Sequence, residues 1–282
     1  MNARIHDPRP CLLGEGPLWH PTRKQLFWFD ILGQKLLTLR EEWTFGRPVS
    51  AAGWVDENRL AVASATNLIV FDLRDGTSEP LVDLEADNPV TRCNDGRADP
   101  QGGFWISTMG RLAEPGAGAF YRWYKGELRK LFPDITIPNA TCFAPDGRTA
   151  YFADTAKSLV WRQALDAKGW PMGERQVYLD HTGTDVNPDG AVVDAAGNFW
   201  CAEWGLGRVA AYDQGGKLIE ELKVPAAQSS CPAFGGPDLQ TLFVTTARKG
   251  NPQATEDTTQ GAGQTFAIDT GYTGQAEHQV IL

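Results

Sequence analysis

The chain has 282 residues, a formal net charge of −9 and a sequence pI of about 5.0. This acidic balance argues against non-specific attraction to nucleic acid or to anionic membranes, and it favours a small or neutral partner. No apolar run approaches the ~20 residues that span a bilayer. The N-terminal stretch MNARIHDPRPC is charged and interrupted by prolines, unlike a signal peptide, so we expect a cytoplasmic protein.

Cysteine chemistry is not expected in this chain. The cysteines stand at positions 11, 93, 142, 201 and 231. Their odd number and the lack of a C-x-x-C pair argue against a disulfide framework and against a cysteine-rich zinc site. The four histidines form no H-E-x-x-H motif and no evident pair with a cysteine. We predict small buried thiols.

A hairpin-like unit recurs six times along the chain, at intervals of roughly 35 to 50 residues. Each copy has a short apolar run, a polar turn and a second run rich in aromatic and β-branched residues. The copies in chain order are GPLWHPTRKQLFWFD from Gly16, AAGWVDENRLAVAS from Ala51, GRADPQGGFWIST from Gly96, ATCFAPDGRTAYFAD from Ala140, GAVVDAAGNFWCAE from Gly190 and AFGGPDLQTLFVTT from Ala233.

Further strand-like pieces follow the hairpins, such as SLVWRQAL and RQVYLD after Asp154. Four short strands per repeat are typical of a β-propeller blade, and helical periodicity is nearly absent. The sequence predicts an all-β protein, a six-bladed β-propeller with a central channel, with residues 1–282 forming a single domain. A tandem pair of β-sandwiches is the alternative, but it does not predict the same hairpin six times.

One blade of a closed propeller needs an outer strand from a distant part of the chain, because an open sheet edge invites aggregation. The stretch before Gly14 and the C-terminal HQVIL are both candidates. The sequence does not choose between them.

The innermost strand of every blade lines the channel, so residues at the start of these strands converge at one end. The positions just before the six repeats are Glu15, Ser50, Asp95 (preceded by Asn94), Asn139, Asp189 and Pro232. Four of the six blades offer a carboxylate or an amide. Any one of them, Asp95 for example, has the alternative role of capping a turn or a strand.

Three of these residues, Glu15, Asn139 and Asp189, form an all-oxygen set with two negative charges. Crowded carboxylates repel each other and lose hydration, and a cation between them relieves both costs. We predict one divalent metal ion here. Ca²⁺, Mg²⁺ or Mn²⁺ suits oxygen ligands, and Zn²⁺ or Fe(II) stays open although no histidine or thiol ligand is evident.

The same segments carry a resemblance to a known family. The motifs are LGEGPLW (13–19), RCNDGRADPQGGFWISTM (92–109), IPNATCFAPDGRTAYFADT (137–155), NPDGAVVDAAGNFWCAEW (187–204) and CPAFGGPDLQTLFVTTA (231–247). Together they resemble the SMP-30/gluconolactonase/regucalcin family over nearly the full chain. The resemblance implies a six-bladed propeller, a divalent metal in the channel and hydrolysis of aldonolactones.

Carried over motif by motif, the family's metal ligands fall on Glu15, Asn139 and Asp189, and its substrate-binding residues fall on Arg92 and Asn94. Two departures stand out. Residue 140, after Asn139, is alanine where the family usually has glycine. The loop after Met109 reads GRLAEPGAG and lacks the acidic pair that some members place there, with Glu114 as the one candidate replacement.

The expected function is hydrolysis of a sugar lactone, with the metal polarising the carbonyl and Asp189 as candidate general base. Arg92 and Asn94 are candidates for binding sugar hydroxyls, while a structural ion pair is the alternative role for Arg92. A phosphotriesterase-like hydrolase and a non-catalytic calcium-binding propeller are the alternative functions, because the same ligands serve both. Tryptophans 19, 105 and 200 recur within the repeat and are expected in inter-blade packing.

Overall fold

The computed structural model describes residues 2–282, which form six four-stranded antiparallel sheets and one short 3₁₀ helix, Thr155–Lys157. The sheets of blades 1 to 5 are built from consecutive strands. Blade 1 contains β2 (Gly14–His20), β3 (Gln25–Asp30), β4 (Lys35–Leu37) and β5 (Glu42–Thr44). Blade 2 contains β6 (Val49–Trp54), β7 (Arg59–Ser64), β8 (Asn67–Asp72) and β9 (Ser78–Asp83).

The next three blades follow the same order from the inside outwards. Blade 3 contains β10 (Thr91–Ala98), β11 (Phe104–Gly110), β12 (Gly118–Tyr124) and β13 (Glu127–Ile135). Blade 4 contains β14 (Pro138–Phe143), β15 (Thr149–Asp154), β16 (Leu159–Ala164) and β17 (Gln176–Asp180). Blade 5 contains β18 (Pro188–Val193), β19 (Phe199–Glu203), β20 (Arg208–Tyr212) and β21 (Leu218–Lys223).

Blade 6 joins the two ends of the chain. Its sheet runs in the order β22 (Ser229–Gly235), β23 (Thr241–Thr246), β24 (Thr265–Asp269) and β1 (Arg4–Asp7). The N-terminal strand therefore supplies the outer edge, with Arg4 opposite Ala267 and Ile5 opposite Phe266. Of the two candidates in the sequence, the stretch before Gly14 thus closes the last blade, and the C-terminal HQVIL does not.

The six sheets close into a ring, because the innermost strands of neighbouring blades contact one another all the way round, including β22 with β2. The predicted six-bladed propeller is confirmed. Inner strands are buried on both faces, as in PDGAVV of β18, whereas outer strands such as β9 and β21 are largely exposed. The second strand of a blade is accordingly rich in apolar residues, as in QLFWFD of β3, whereas the innermost strand also carries buried polar groups, as in TRCNDGRA of β10.

Aromatic side chains fill the spaces between blades, as the repeat predicts. Trp105 and Trp200 are fully buried. Trp19 stacks on Phe243 of blade 6 with ring centroids 5.7 Å apart. Packing of this kind removes large apolar surfaces from water and joins adjacent sheets.

A register irregularity interrupts the innermost strand of every blade. It spans Glu15–Leu18 in β2 and falls at Ser50 in β6, and equivalent bulges follow in β10, β14 and β18. A bulge re-aims the side chains beside it, so these residues turn towards the channel end. The position predicted for blade 6, Pro232, is instead in regular register opposite Val244, and the bulge there lies at Ser230.

The five cysteines are all free and buried, as predicted. Among residues 2–282, no helix has the length and apolar character needed to cross a membrane.

Candidate functional site

A cavity of about 170 Å³ lies at one mouth of the channel, and all five predicted site residues line it: Glu15, Arg92, Asn94, Asn139 and Asp189. Grooves of about 470 and 830 Å³ lie elsewhere on the surface. Their charged side chains, such as Arg162 and Glu174 in the first and Lys24 and Arg40 in the second, are exposed. The channel mouth is therefore the candidate site although it is the smaller space, because buried polar groups converge only there among these three cavities.

The innermost strands of blades 1, 4 and 5 deliver Glu15, Asn139 and Asp189, and each residue stands at the bulge of its strand. All three side chains are buried, with residue exposures of 8%, 3% and 5% in that order. Residues 50 to 174 positions apart in sequence are thus gathered by the sixfold repetition of one backbone irregularity.

The backbone after two of these residues is left-handed. Gly16 has φ +53° and Ala140 has φ 60°. A left-handed conformation suits glycine and strains any residue with a Cβ atom. This geometry fits the glycine that the resemblance leads us to expect at position 140. The alanine adopts the glycine-like conformation instead of altering the turn.

Two aspartates hold the loops that enter the cavity wall. The Asp30 carboxylate, at the end of β3, accepts hydrogen bonds from the backbone N–H groups of Leu12 and Leu13, each at 3.0 Å. Asp154 takes the same place in blade 4, where it accepts from the N–H groups of Thr136 and Ile137 at 3.1 and 3.0 Å. These bonds fix the chain just before Glu15 and Asn139.

The two channel carboxylates are held in an unfavourable environment. Burial, followed by repulsion from Asp95, raises the pKa of Glu15 to about 8. Burial, followed by repulsion from Glu15 and Asp95, raises the pKa of Asp189 well above its ordinary value. The nearby Arg92 guanidinium lowers both pKa values but does not offset the burial. The single positive charge of Arg92 is therefore too little to offset the burial of both carboxylates.

The donor set fits a hard divalent cation. Glu15 Oε2 accepts a hydrogen bond from the N–H of Gly16 at 3.0 Å, and within residues 2–282 the Asp189 carboxylate accepts none from another side chain. No three His, Cys, Asp or Glu side chains of the described chain gather into a metal-binding group. A cation at this place would thus need the amide oxygen of Asn139 beside the two carboxylates.

Arg92 is buried and has no carboxylate partner. Its Nη1 donates to the Cys93 carbonyl and to Asn94 Oδ1, each at 2.8 Å, and its Nε is buried without a partner. None of the ion pairs within residues 2–282 involves Arg92, so the geometry does not support its alternative role in a structural ion pair. Burial lowers the pKa of Arg92, and the guanidinium remains at the cavity wall as a donor.

Asn94 and Asp95 face different partners. Asn94 Nδ2 donates to the Pro138 carbonyl at 2.8 Å and to Asn139 Oδ1 at 3.0 Å. The Asp95 carboxylate accepts from the N–H groups of Gly96 and Thr141 at 2.9 and 2.6 Å, and Asp95 does not line the cavity. Asp95 therefore has the capping role that was the alternative for it in the sequence.

The loop after Met109 places Ala113, not Glu114, in the cavity wall. Glu114 Oε2 accepts from the N–H of Leu112 at 3.0 Å within its own loop. Arg111 also points elsewhere, with its Nε donating to the Pro89 carbonyl at 3.1 Å. On this side the mouth is apolar, so Glu114 does not replace the missing acidic pair.

Besides aliphatic residues and a glycine, the cavity wall contains two polar residues and one tryptophan that sequence reasoning missed: Thr155, Asn251 and Trp204. Thr155 directly follows β15 and Trp204 directly follows β19, so both occupy the first position after the second strand of a blade. That position within the repeat was an available signal. Asn251 lies in the long connection between β23 and β24, which no repeat describes.

The chain belongs to the family described as SMP-30/gluconolactonase/LRE-like, whose model matches residues 13–248. A crystal structure of a calcium-binding protein, regucalcin, from Agrobacterium tumefaciens superposes with a TM-score of 0.93 and 39% identity, covering 100% of this chain and 98% of the other. The L-arabinolactonase of Azospirillum brasilense is 35% identical over 94% of this chain and 90% of its own length. The pentonolactonase of Haloferax volcanii is 32% identical, with coverage of 95% and 94%.

Proposed function

We propose that this protein is a metal-dependent lactonase that opens the ring of a sugar aldonolactone to give the aldonic acid. The observation that carries the proposal is the meeting of two buried carboxylates and an amide oxygen with the unpaired guanidinium of Arg92 in one cavity. The names of the relatives as arabinolactonase and pentonolactonase support the same substrate class.

Glu15, Asn139 and Asp189 are the residues proposed to hold the divalent ion. A divalent cation bound there supplies polarisation of the lactone carbonyl and a lowered pKa for nearby water. Asp189 is the proposed general base. It takes a proton from the water that adds to the carbonyl carbon, and it returns that proton to the ring oxygen as the carbon–oxygen bond breaks. Water is consumed and one hydroxy acid is formed.

Arg92 is proposed to orient the substrate. Its Nη1 is fixed by the Cys93 carbonyl and Asn94 Oδ1, so the planar guanidinium is held in one position against the cavity. Its Nη2 makes no hydrogen bond within residues 2–282 and, unlike the buried Nε, is not enclosed by protein, so Nη2 is the free donor that a substrate can reach. A sugar hydroxyl or a lactone oxygen is an acceptor of the kind this group lacks.

The test is lactone hydrolysis, followed by proton release on a panel of aldonolactones. Chelator-stripped protein is assayed alone and with Ca²⁺, Mg²⁺, Mn²⁺, Zn²⁺ or Fe(II). We expect turnover to return with at least one ion, and Asp189→Asn to lower kcat by about 10²- to 10⁴-fold. Asp185→Asn, at an exposed position four residues earlier, is the control and leaves kcat unchanged.

The two alternative functions give different results in the same experiment. Turnover of a phosphotriester without turnover of any lactone identifies a phosphotriesterase. Tight cation binding with no turnover of any lactone or phosphotriester identifies a calcium-binding propeller, in keeping with the name of the regucalcin structure.

A further inference from the structure

A single row of hydrogen bonds crosses three blades at the floor of the cavity. Arg92 Nη1 donates to Asn94 Oδ1 at 2.8 Å, and Asn94 Nδ2 donates to Asn139 Oδ1 at 3.0 Å. Asn139 Nδ2 then donates to Thr155 Oγ1 at 2.9 Å, and Thr155 Oγ1 donates to the Pro188 carbonyl at 2.6 Å. The row begins in blade 3, passes through blade 4 and ends at the residue before Asp189 in blade 5.

The two ends of this row fix the direction of every bond within it. A guanidinium can only donate and a carbonyl oxygen can only accept. The one hydroxyl proton of Thr155 is committed to Pro188, so towards Asn139 the hydroxyl can only accept. Asn139 must therefore turn its NH₂ group to Thr155, which leaves its oxygen on the side of Asn94 and the channel.

We propose that Thr155 is a positioning residue, which presents the oxygen of Asn139, rather than its NH₂ group, as a ligand for the divalent cation. The inference rests on the metal site proposed above. Asn139 Oδ1 has two lone pairs and Asn94 uses one, so one acceptor position is left for a cation. Through the Pro188 carbonyl, the same hydroxyl also fixes the backbone that leads into Asp189.

The backbone of Thr155 does not depend on its hydroxyl group. Its N–H donates to the Ile137 carbonyl at 2.9 Å, and its carbonyl accepts from the N–H of Ser158 at 3.0 Å. Valine has nearly the shape of threonine and leaves both bonds intact. Thr155→Val therefore removes two hydrogen bonds of the row while the fold of blade 4 is retained.

Chelator-stripped wild-type protein is first titrated calorimetrically with Ca²⁺, Mn²⁺ and Zn²⁺. The variants are then titrated with the ion that wild-type protein binds most tightly. We expect Thr155→Val to weaken binding by about tenfold or more, as for other residues that orient a ligand. Thr155→Ser keeps the hydroxyl and is expected to bind within about twofold of wild type. Thr149→Val, at a half-buried position beside a turn of the same blade and outside the cavity lining, is the matched control with wild-type affinity.

Two outcomes separate this inference from the metal site on which it rests. Binding that Glu15→Gln abolishes and Thr155→Val leaves unchanged overturns the role of Thr155 alone. No binding of any ion by wild-type protein overturns both. Circular dichroism confirms folding, and Thr155→Ala takes the place of the valine variant if that variant does not fold.

Discussion

The carboxylate of Glu277 pairs with the guanidinium of Arg97, and the two side chains are only 8% and 13% exposed. Arg97 lies near the end of β10, whereas Arg92 and Asn94 at its start line the cavity. The pair therefore marks the opposite end of the channel. It joins the C-terminal segment, residues 270–282, to the innermost strand of blade 3.

Other contacts of the C-terminal segment reach most of the ring. Gln275 Nε2 donates to the carbonyls of Phe143 in blade 4 and Val193 in blade 5, at 3.0 and 2.9 Å. The N–H of Val280 donates to the Trp54 carbonyl of blade 2 at 2.8 Å. The segment thus crosses the far end of the channel and holds blades together that are distant in sequence.

Removing the partner of Arg97 should destabilise the protein. We expect Glu277→Ala to lower the free energy of unfolding by about 3 kcal/mol, because a buried guanidinium is left without a carboxylate. The control is Glu127→Ala, which breaks the exposed pair with Arg129 and should leave the urea midpoint unchanged. Urea denaturation measures the free energy of unfolding of both variants. Equal effects of the two variants would contradict a structural role for the buried pair.

The metal-free protein should lose stability as the pH rises. The pKa of Glu15 is near 8 in the folded protein, above its ordinary 4.5, because of burial and repulsion from Asp95. Between these two values the folded state binds more protons than the unfolded state, so the free energy of unfolding falls with increasing pH and the loss is complete above about pH 8.

Thermal unfolding of chelated protein at a series of pH values from 5 to 9 measures this dependence. The Glu15→Gln variant has no ionisable group at this position, so its thermal stability should depend less steeply on pH. A saturating divalent cation should reverse the loss at high pH, because it binds the ionised carboxylates. A curve for Glu15→Gln that is as steep as the wild-type curve would assign the dependence to other groups.

The sequence was sufficient to predict the propeller because each repeat encodes the same local structure. The apolar run before DAAGN and the aromatic run after it become β18 and β19, a hairpin buried on both faces. Glu15, Asn139 and Asp189 could be placed together because equal positions in equal blades meet on one axis. The structure adds the physical device behind that pattern, a bulge in every innermost strand.

Features that depend on contacts between unlike segments could not be predicted in this way. From the sequence, either the stretch that contains Arg4–Asp7 or the C-terminal HQVIL could supply the outer edge of blade 6, because neither carries a distinguishing pattern. Thr155 and Trp204 share a position that the repeat marks, directly after the second strand of a blade, but nothing in the sequence shows that these two side chains reach the cavity. Their place in the cavity follows from how the loops of blades 4 and 5 are held.

The left-handed turn beside Glu15 should tolerate no side chain. We expect Gly16→Ala to destabilise the protein by more than 2 kcal/mol, because a Cβ atom there would lie 2.2 Å from the Ser50 carbonyl oxygen in a backbone with φ +53°. Gly46 is the control, since its φ is +66° but a Cβ atom meets nothing within 4 Å. Gly46→Ala should cost about 1 kcal/mol. Similar urea midpoints for the two variants would show that backbone strain alone, without the close contact, determines which residues position 16 tolerates.

The indole of Trp204 should contribute to substrate binding more than to chemistry. It is half-buried in the cavity wall and lies beside Gly250, where an added Cβ atom would be 3.4 Å from Trp204 Cζ2. We expect Trp204→Ala to raise KM for an aldonolactone about tenfold with kcat little changed, because an apolar wall contacts ground state and transition state alike. Trp204→Phe should have a KM between those of wild-type protein and Trp204→Ala.

Trp43→Ala is the matched control, since Trp43 is a half-buried tryptophan on the outermost strand of blade 1, away from the cavity. It should leave KM unchanged even if it lowers thermal stability. Steady-state kinetics on one lactone, with all variants loaded with the same ion, provide the comparison. A fall in kcat with constant KM for Trp204→Ala would instead place the indole against the reacting carbonyl, because only a contact made in the transition state changes kcat alone.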